Sequence, residues 1–147
     1  MSERLYLDTE FNGHGGELIS LALVGEVGGI QHKFYEATQF IGPVDAWVAE
    51  HVLPKLGTVP LKSYIFRRNL HAFLSFYRDP EIICDWHADA EHFCRMLAGP
   101  DYASSMDFAC RITILKTPPG YPVSKNPHNA LADALALMEW HQEAMAA

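Results

Sequence analysis

An α/β domain is predicted, built on a mixed sheet that starts as an antiparallel meander, continues with parallel strands and carries helices on both faces. Three observations lead to it. Up to Glu36 the chain holds three strand-like runs separated by glycine-rich turns. Beyond that point, stretches with apolar residues three and four apart alternate with a short apolar run, the pattern of helix-to-strand steps. The third is size: 147 residues, 49% of them hydrophobic, can bury one core and call for no second domain, so residues 1–147 are read as a single unit.

Leu5 to Phe11 opens the sheet. A strand alternates faces with period two, so Asp8 and Glu10 share one face while Leu5, Leu7 and Thr9 take the other. Residues 17 to 27 form a nearly unbroken apolar run, and Gly28-Gly29 turns the chain into a third strand, Ile30 to Glu36. Between the first two strands, the loop from Asn12 to Gly16 is glycine-rich and suits a tight reversal. Pro43 to Leu56 carries Val44, Trp47, Val48, His51 and Val52 at helical spacing, with Pro43 in the first turn, and is expected to cover the sheet.

Arg68 to Tyr77 repeats the helical pattern with Leu70, Phe73, Leu74 and Tyr77, and Glu81 to Trp86 follows as a short buried strand. Ala90 to Leu97 is helical, with Phe93, Met96 and Leu97 inward; Met106 to Leu115 is mixed in signal; Thr117 to Asn126 is a proline-rich loop. The last helix runs from about Pro127 to Ala144, its apolar stripe being Leu131, Leu135 and Met138.

Chemistry concentrates in the acids. Asp8 and Glu10, side by side on one strand face, repel each other unless a cation sits between them, and a hard divalent ion with oxygen ligands is the usual one. For this segment alone, a capping acid beside a solvated one is the alternative. Asp85 and Asp89 follow the strand Glu81 to Cys84, beyond whose carboxyl end open sheets commonly bind ligands. Asp89, at a helix start, also suits an N-cap. His128 lies in the loop entering the last helix, and Asp133 in its early turns is flanked by alanines small enough for close approach to the sheet.

Asp8-Thr9-Glu10, then an acid at a strand-to-helix junction, then His128-x-x-x-x-Asp133 opening the last helix is the order and spacing that resembles the DEDDh 3′-to-5′ exonucleases. The segments Asp8-Thr9-Glu10-Phe11 and Glu17-Leu18-Ile19-Ser20 resemble, in particular, the RNase T-like group of small stand-alone exoribonucleases, and the similarity covers nearly the whole chain. The resemblance implies an RNase H-like fold and two Mg2+ or Mn2+ ions, with Asp8 bridging both, Glu10 and Asp133 completing one shell and Asp89 holding the second. His128 would then be the general base, a role suited to a side chain that titrates near pH 6.5. In the family's second motif an Asn ends the strand and an aromatic precedes the acid. Here Asp85 stands in the Asn-like place and Ala88 in the aromatic one, so the motif is assigned to Asp89 and Asp85 to a substrate contact, with the choice between them open.

Phe11 is placed to stack on a 3′-terminal base, and Asn12 with the following glycines to approach the terminal sugar, where a 2′-hydroxyl distinguishes RNA from DNA. The expected partner is thus a single-stranded nucleic acid 3′ end, RNA favoured, with nucleoside monophosphates released. A DNA exonuclease of the same fold and a non-catalytic scaffold are the competing readings. The scaffold requires a ruined catalytic position, yet all five residue types stand in order.

The net charge of −7 excludes diffuse attraction to a polyanion as the basis of binding, so a phosphate-bearing substrate needs metal ions and local cations, for which Arg67, Arg68, Arg111, Lys116 and Lys125 are the candidates. Cys84, Cys94 and Cys110 form no C-x-x-C pair and are odd in number, which points to reduced, mostly buried thiols rather than a disulfide or zinc framework. No leader pattern or apolar run of about 20 residues occurs, so a cytosolic protein with no membrane partner is expected, with homodimer assembly left open.

Overall fold

The computed structural model describes residues 3–100 and 106–147. Three strands come first, β1 (Arg4–Phe11), β2 (Leu18–Val27) and β3 (Ile30–Ala37), followed by helix α1 (Ala46–His51) and a single 3-10 turn at Leu53–Lys55. Then come α2 (Ser63–Leu74), β4 (Glu81–Cys84), α3 (His87–Ala98), β5 (Arg111–Ile114) and α4 (Ala130–Ala146). The sheet order is β3-β2-β1-β4-β5. Its first three strands pair antiparallel, and β1, β4 and β5 pair parallel, as the meander and the later helix-to-strand steps predict.

Period-two alternation gives the sheet two apolar faces. Leu5, Leu7, Leu21 and Leu23 face α2 and α3, packing on Phe66, Leu70 and Phe93. Tyr6, Ala22, Val24 and Ile83 face α4, packing on Ala130, Ala134, Leu137 and Met138. Helices therefore cover both faces. A third cluster, Ile19, Ala37, Val48, Val52 and Leu56, seats α1 and the 3-10 turn.

Several expected boundaries move. Helix α1 is shorter than Pro43 to Leu56: Asp45 caps it, accepting from the N–H of Trp47 and Val48, so Pro43 stays outside. Only Val48 and Val52 of its expected inward residues are buried, while Val44 and Trp47 are exposed. Helix α2 starts at Ser63 and ends before Tyr77, with Phe66 as a buried contact the periodicity from Arg68 onward misses. Strand β4 stops at Cys84 and Trp86 is exposed.

Helix α4 buries Ala134, Leu137 and Met138, with Leu131 and Leu135 only partly covered. Between Ala130 and Met138 every residue but Asp133 is apolar, so composition does not select the inward face. The small alanines let the helix lie close and carry the contact. Of the three cysteines, all free, only Cys84 is buried; Cys94 lies on the exposed side of α3 and Cys110 is half-buried. Among the described residues no helix is long and apolar enough to cross a membrane.

Candidate functional site

The end of β1 creates the site. Parallel pairing with β4 runs only from Arg4 opposite Glu81 to Tyr6 opposite Ile83, so the two strands part before Asp8 and leave a notch where β4 turns into α3. On the other side, β1 stays paired with β2 until the register shifts between Glu10 and Phe11. Asp8 and Glu10 thus stand on a rigid, central strand at the point where its apolar cover ends. That suits groups that must hold fixed positions.

The turn after β4 places Asp85 at the notch, and helix α3 places Asp89 there. The helix begins at His87, three residues before the periodicity suggests, so Asp89 is inside its first turn; the cap position is Trp86, which makes no side-chain cap bond. Asp89 is 2% exposed. Its Oδ1 accepts from the backbone N–H of Thr9 at 3.1 Å and from Thr9 Oγ1 at 2.6 Å, which ties α3 to β1. The two bonds fix Asp89 at the open edge of β1, beside Asp8.

Helix α4 delivers the last acid. Asn129, not foreseen in the sequence, caps the helix through its Oδ1, which accepts from Ala132 N–H at 3.0 Å. Asp133 then lies one turn in, and its Oδ2 accepts from the backbone N–H of His128 at 3.1 Å. His128 sits at φ 71°, in the left-handed region that a non-glycine residue seldom occupies. Such strain persists where the surroundings impose it.

The carboxylates form two groups that share one member. Asp8, Glu10 and Asp133 each offer an oxygen within 4.8 Å of the others, and so do Asp8, Asp85 and Asp89. Asp85 and Asp89 therefore both lie within reach of Asp8. Two oxygens, Asp8 Oδ2 and Asp133 Oδ1, are buried with no hydrogen-bond partner. Buried polar atoms are normally satisfied, so orphaned anionic oxygens facing other acids fit hard cations, which supply what hydrogen bonds do not.

Electrostatics follow from this crowding. Burial, then the charges of Asp89, Glu10 and Asp133, push the Asp8 carboxyl well above its usual range. Burial and then Asp133 raise Glu10 to about 8, against a smaller opposing pull from Lys55. Burial raises Asp89 to about 7 in spite of its bonds from Thr9, and burial raises Asp85 as well. Without cations the cluster is held together only by retaining protons.

Two openings flank the acids. One cavity of about 370 Å³ is lined by Asp8, Glu10, Asp89 and His128 together with Phe11, Trp47 and Trp86. Phe11 stacks on His92, with ring centroids 4.8 Å apart, and leans on Trp86 at 5.5 Å. A second cavity of about 360 Å³ lies between Asp8, Asp85 and Asp133 and the proline-rich loop at Tyr121 to Ser124. Asn12 does not face either: its Nδ2 donates to the Pro43 carbonyl at 2.9 Å and its Oδ1 accepts from Asp45 N–H at 2.8 Å, fastening the loop to the start of α1. A Cβ on Gly16 would collide with the Asn12 carbonyl, which explains the glycine in this reversal.

Three residues at the site escape the sequence pattern. Trp47 and Trp86 read there as packing residues, and Lys55, the cation that offsets the charge on Glu10, was not among the basic candidates. Arg111 pairs instead with Asp79, and Arg67 Nε donates to the Met96 carbonyl. A tryptophan directly after Asp85 was the one available signal. No protein-family model and no curated protein matches the chain.

Proposed function

We propose that the protein is a 3′-to-5′ exoribonuclease of the DEDDh type on an RNase H-like fold, acting with two Mg2+ or Mn2+ ions. The observation that carries this is the pair of three-carboxylate groups joined through Asp8, with buried oxygens on Asp8 and Asp133 that no hydrogen bond satisfies. The sheet order, an antiparallel meander continued by two parallel strands, is compatible with that fold. Glu10 and Asp133 would hold one ion with Asp8, and Asp85 and Asp89 the other. Ions bound there would neutralise the scissile phosphate and favour deprotonation of the attacking water.

The remaining residues bind and orient. A single base entering the 370 Å³ cavity would meet the rings of Phe11 and Trp86, and stacking on aromatic faces tolerates any base. His128, on the cavity wall, would accept the proton of the attacking water as general base. The test is a digest of matched single-stranded RNA and DNA with Mn2+, resolved on a gel. Stepwise shortening of RNA ahead of DNA supports the proposal. Internal cleavage of a circular single strand would contradict it.

A further inference from the structure

Helix α1 lies outside the carboxylate cluster, yet it reaches the one residue assigned to proton transfer. No side-chain hydrogen bond joins His128 to another described residue; its backbone N–H alone is bonded, to Asp133. Its neighbours in the chain are both anchored by Lys55, whose Nζ donates to the Pro127 carbonyl at 2.9 Å and whose carbonyl accepts from Asn129 Nδ2 at 2.8 Å. The backbone is therefore pinned on each side while the imidazole is oriented by something else. The nearer of two ring contacts is Trp47, which meets the His128 ring edge-to-face at 4.9 Å and 82°; His51 lies farther off, at 6.5 Å and 80°.

Trp47 is itself braced. Its indole stacks on His51 at 4.6 Å and 18°, and His51 Nδ1 lies 2.9 Å from the Trp47 carbonyl. Val48 and Val52, each 1% exposed, seat the segment, whereas Trp47 is 49% exposed and contributes little to the core. We propose that Trp47 is a positioning residue that holds the imidazole of His128 toward the carboxylate cavity. This rests on the assignment of His128 as general base.

The test combines kinetics with NMR on the protein. Trp47→Ala lowers kcat on single-stranded RNA by roughly 2- to 12-fold, the population bias one aromatic contact of this kind represents. Trp47→Phe, which keeps a ring, recovers most of the loss. In a His128→Ala background Trp47→Ala has no further effect on kcat, because a residue acting through another loses its effect when that other is gone. Independently of hydrolysis, Trp47→Ala displaces the His128 ring-proton resonances, identified by their absence in His128→Ala. An inactive wild-type protein overturns the nuclease function and the base with it. Unmoved resonances, or a kcat loss that persists in the His128→Ala background, overturn the role of Trp47 alone.

Discussion

At the scale of the residue, Asp8 separates function from stability. It belongs to both carboxylate groups, and burial with the surrounding acids disfavours its charge. Asp8→Asn removes a shared ligand, so hydrolysis is expected to vanish, whereas the metal-free protein should become more stable, because a neutral amide carries no charge to bury among the other acids. Thermal melts in a chelator check the second outcome, and a variant less stable than wild type would refute it. Asp85→Asn and Asp89→Asn should both weaken binding of the same ion, read as Mn2+ affinity by calorimetry. His128→Ala should leave Mn2+ affinity, read by calorimetry, nearly unchanged and slow turnover by about 10² to 10⁴. Collapse of metal binding in that variant would make His128 a ligand or a structural residue.

At the scale of the element, the start of α4 positions two site residues at once. Asn129 caps it and also donates to the Lys55 carbonyl at 2.8 Å and to Tyr35 Oη at 3.2 Å. Asn129→Ala is expected to cost about 1–2 kcal/mol, the usual loss of a cap, and to lower activity further by releasing His128 and Asp133. Denaturant melts and turnover measured together check this; an activity loss no larger than the stability loss explains would contradict it. The first three strands were legible because glycine turns bound them and alternation puts Asp8 and Glu10 on one face. Trp47 was misread because helical spacing reports which residues share a side, not whether the sheet extends beneath that side. The meeting of Lys55 with Pro127 and Asn129 is tertiary, and no local pattern encodes it. Asp85 and Asp89 looked like alternatives because a motif asks for one acid, while the turn after β4 and the first turn of α3 bring both within reach of Asp8.

At the scale of the whole molecule, a net charge of −7 combined with a buried acidic cluster makes the stability of the protein depend on pH and on cations. Unfolded, Glu10 and Asp89 titrate near their ordinary values of 4.5 and 3.8; folded and metal-free, near about 8 and 7. Between those limits the folded protein binds more protons than the unfolded chain, so stability falls as pH rises from about 4.5 to 8. A drop in melting temperature on the order of 5–10 °C across that window is expected in a chelator, and Mn2+ at pH 8 should reverse it by binding the folded state. A melting temperature that rises with pH in the chelator would contradict the buried cluster. The most direct measurement of the central claim follows a 5′-labelled single-stranded RNA with a free 3′-hydroxyl through time in Mn2+, with wild type and Asp8→Asn in parallel. The wild-type protein should shorten the strand one nucleotide at a time from the 3′ end and Asp8→Asn should leave it intact; an undegraded strand with wild type, or equal shortening by both proteins, would contradict the assignment of this site.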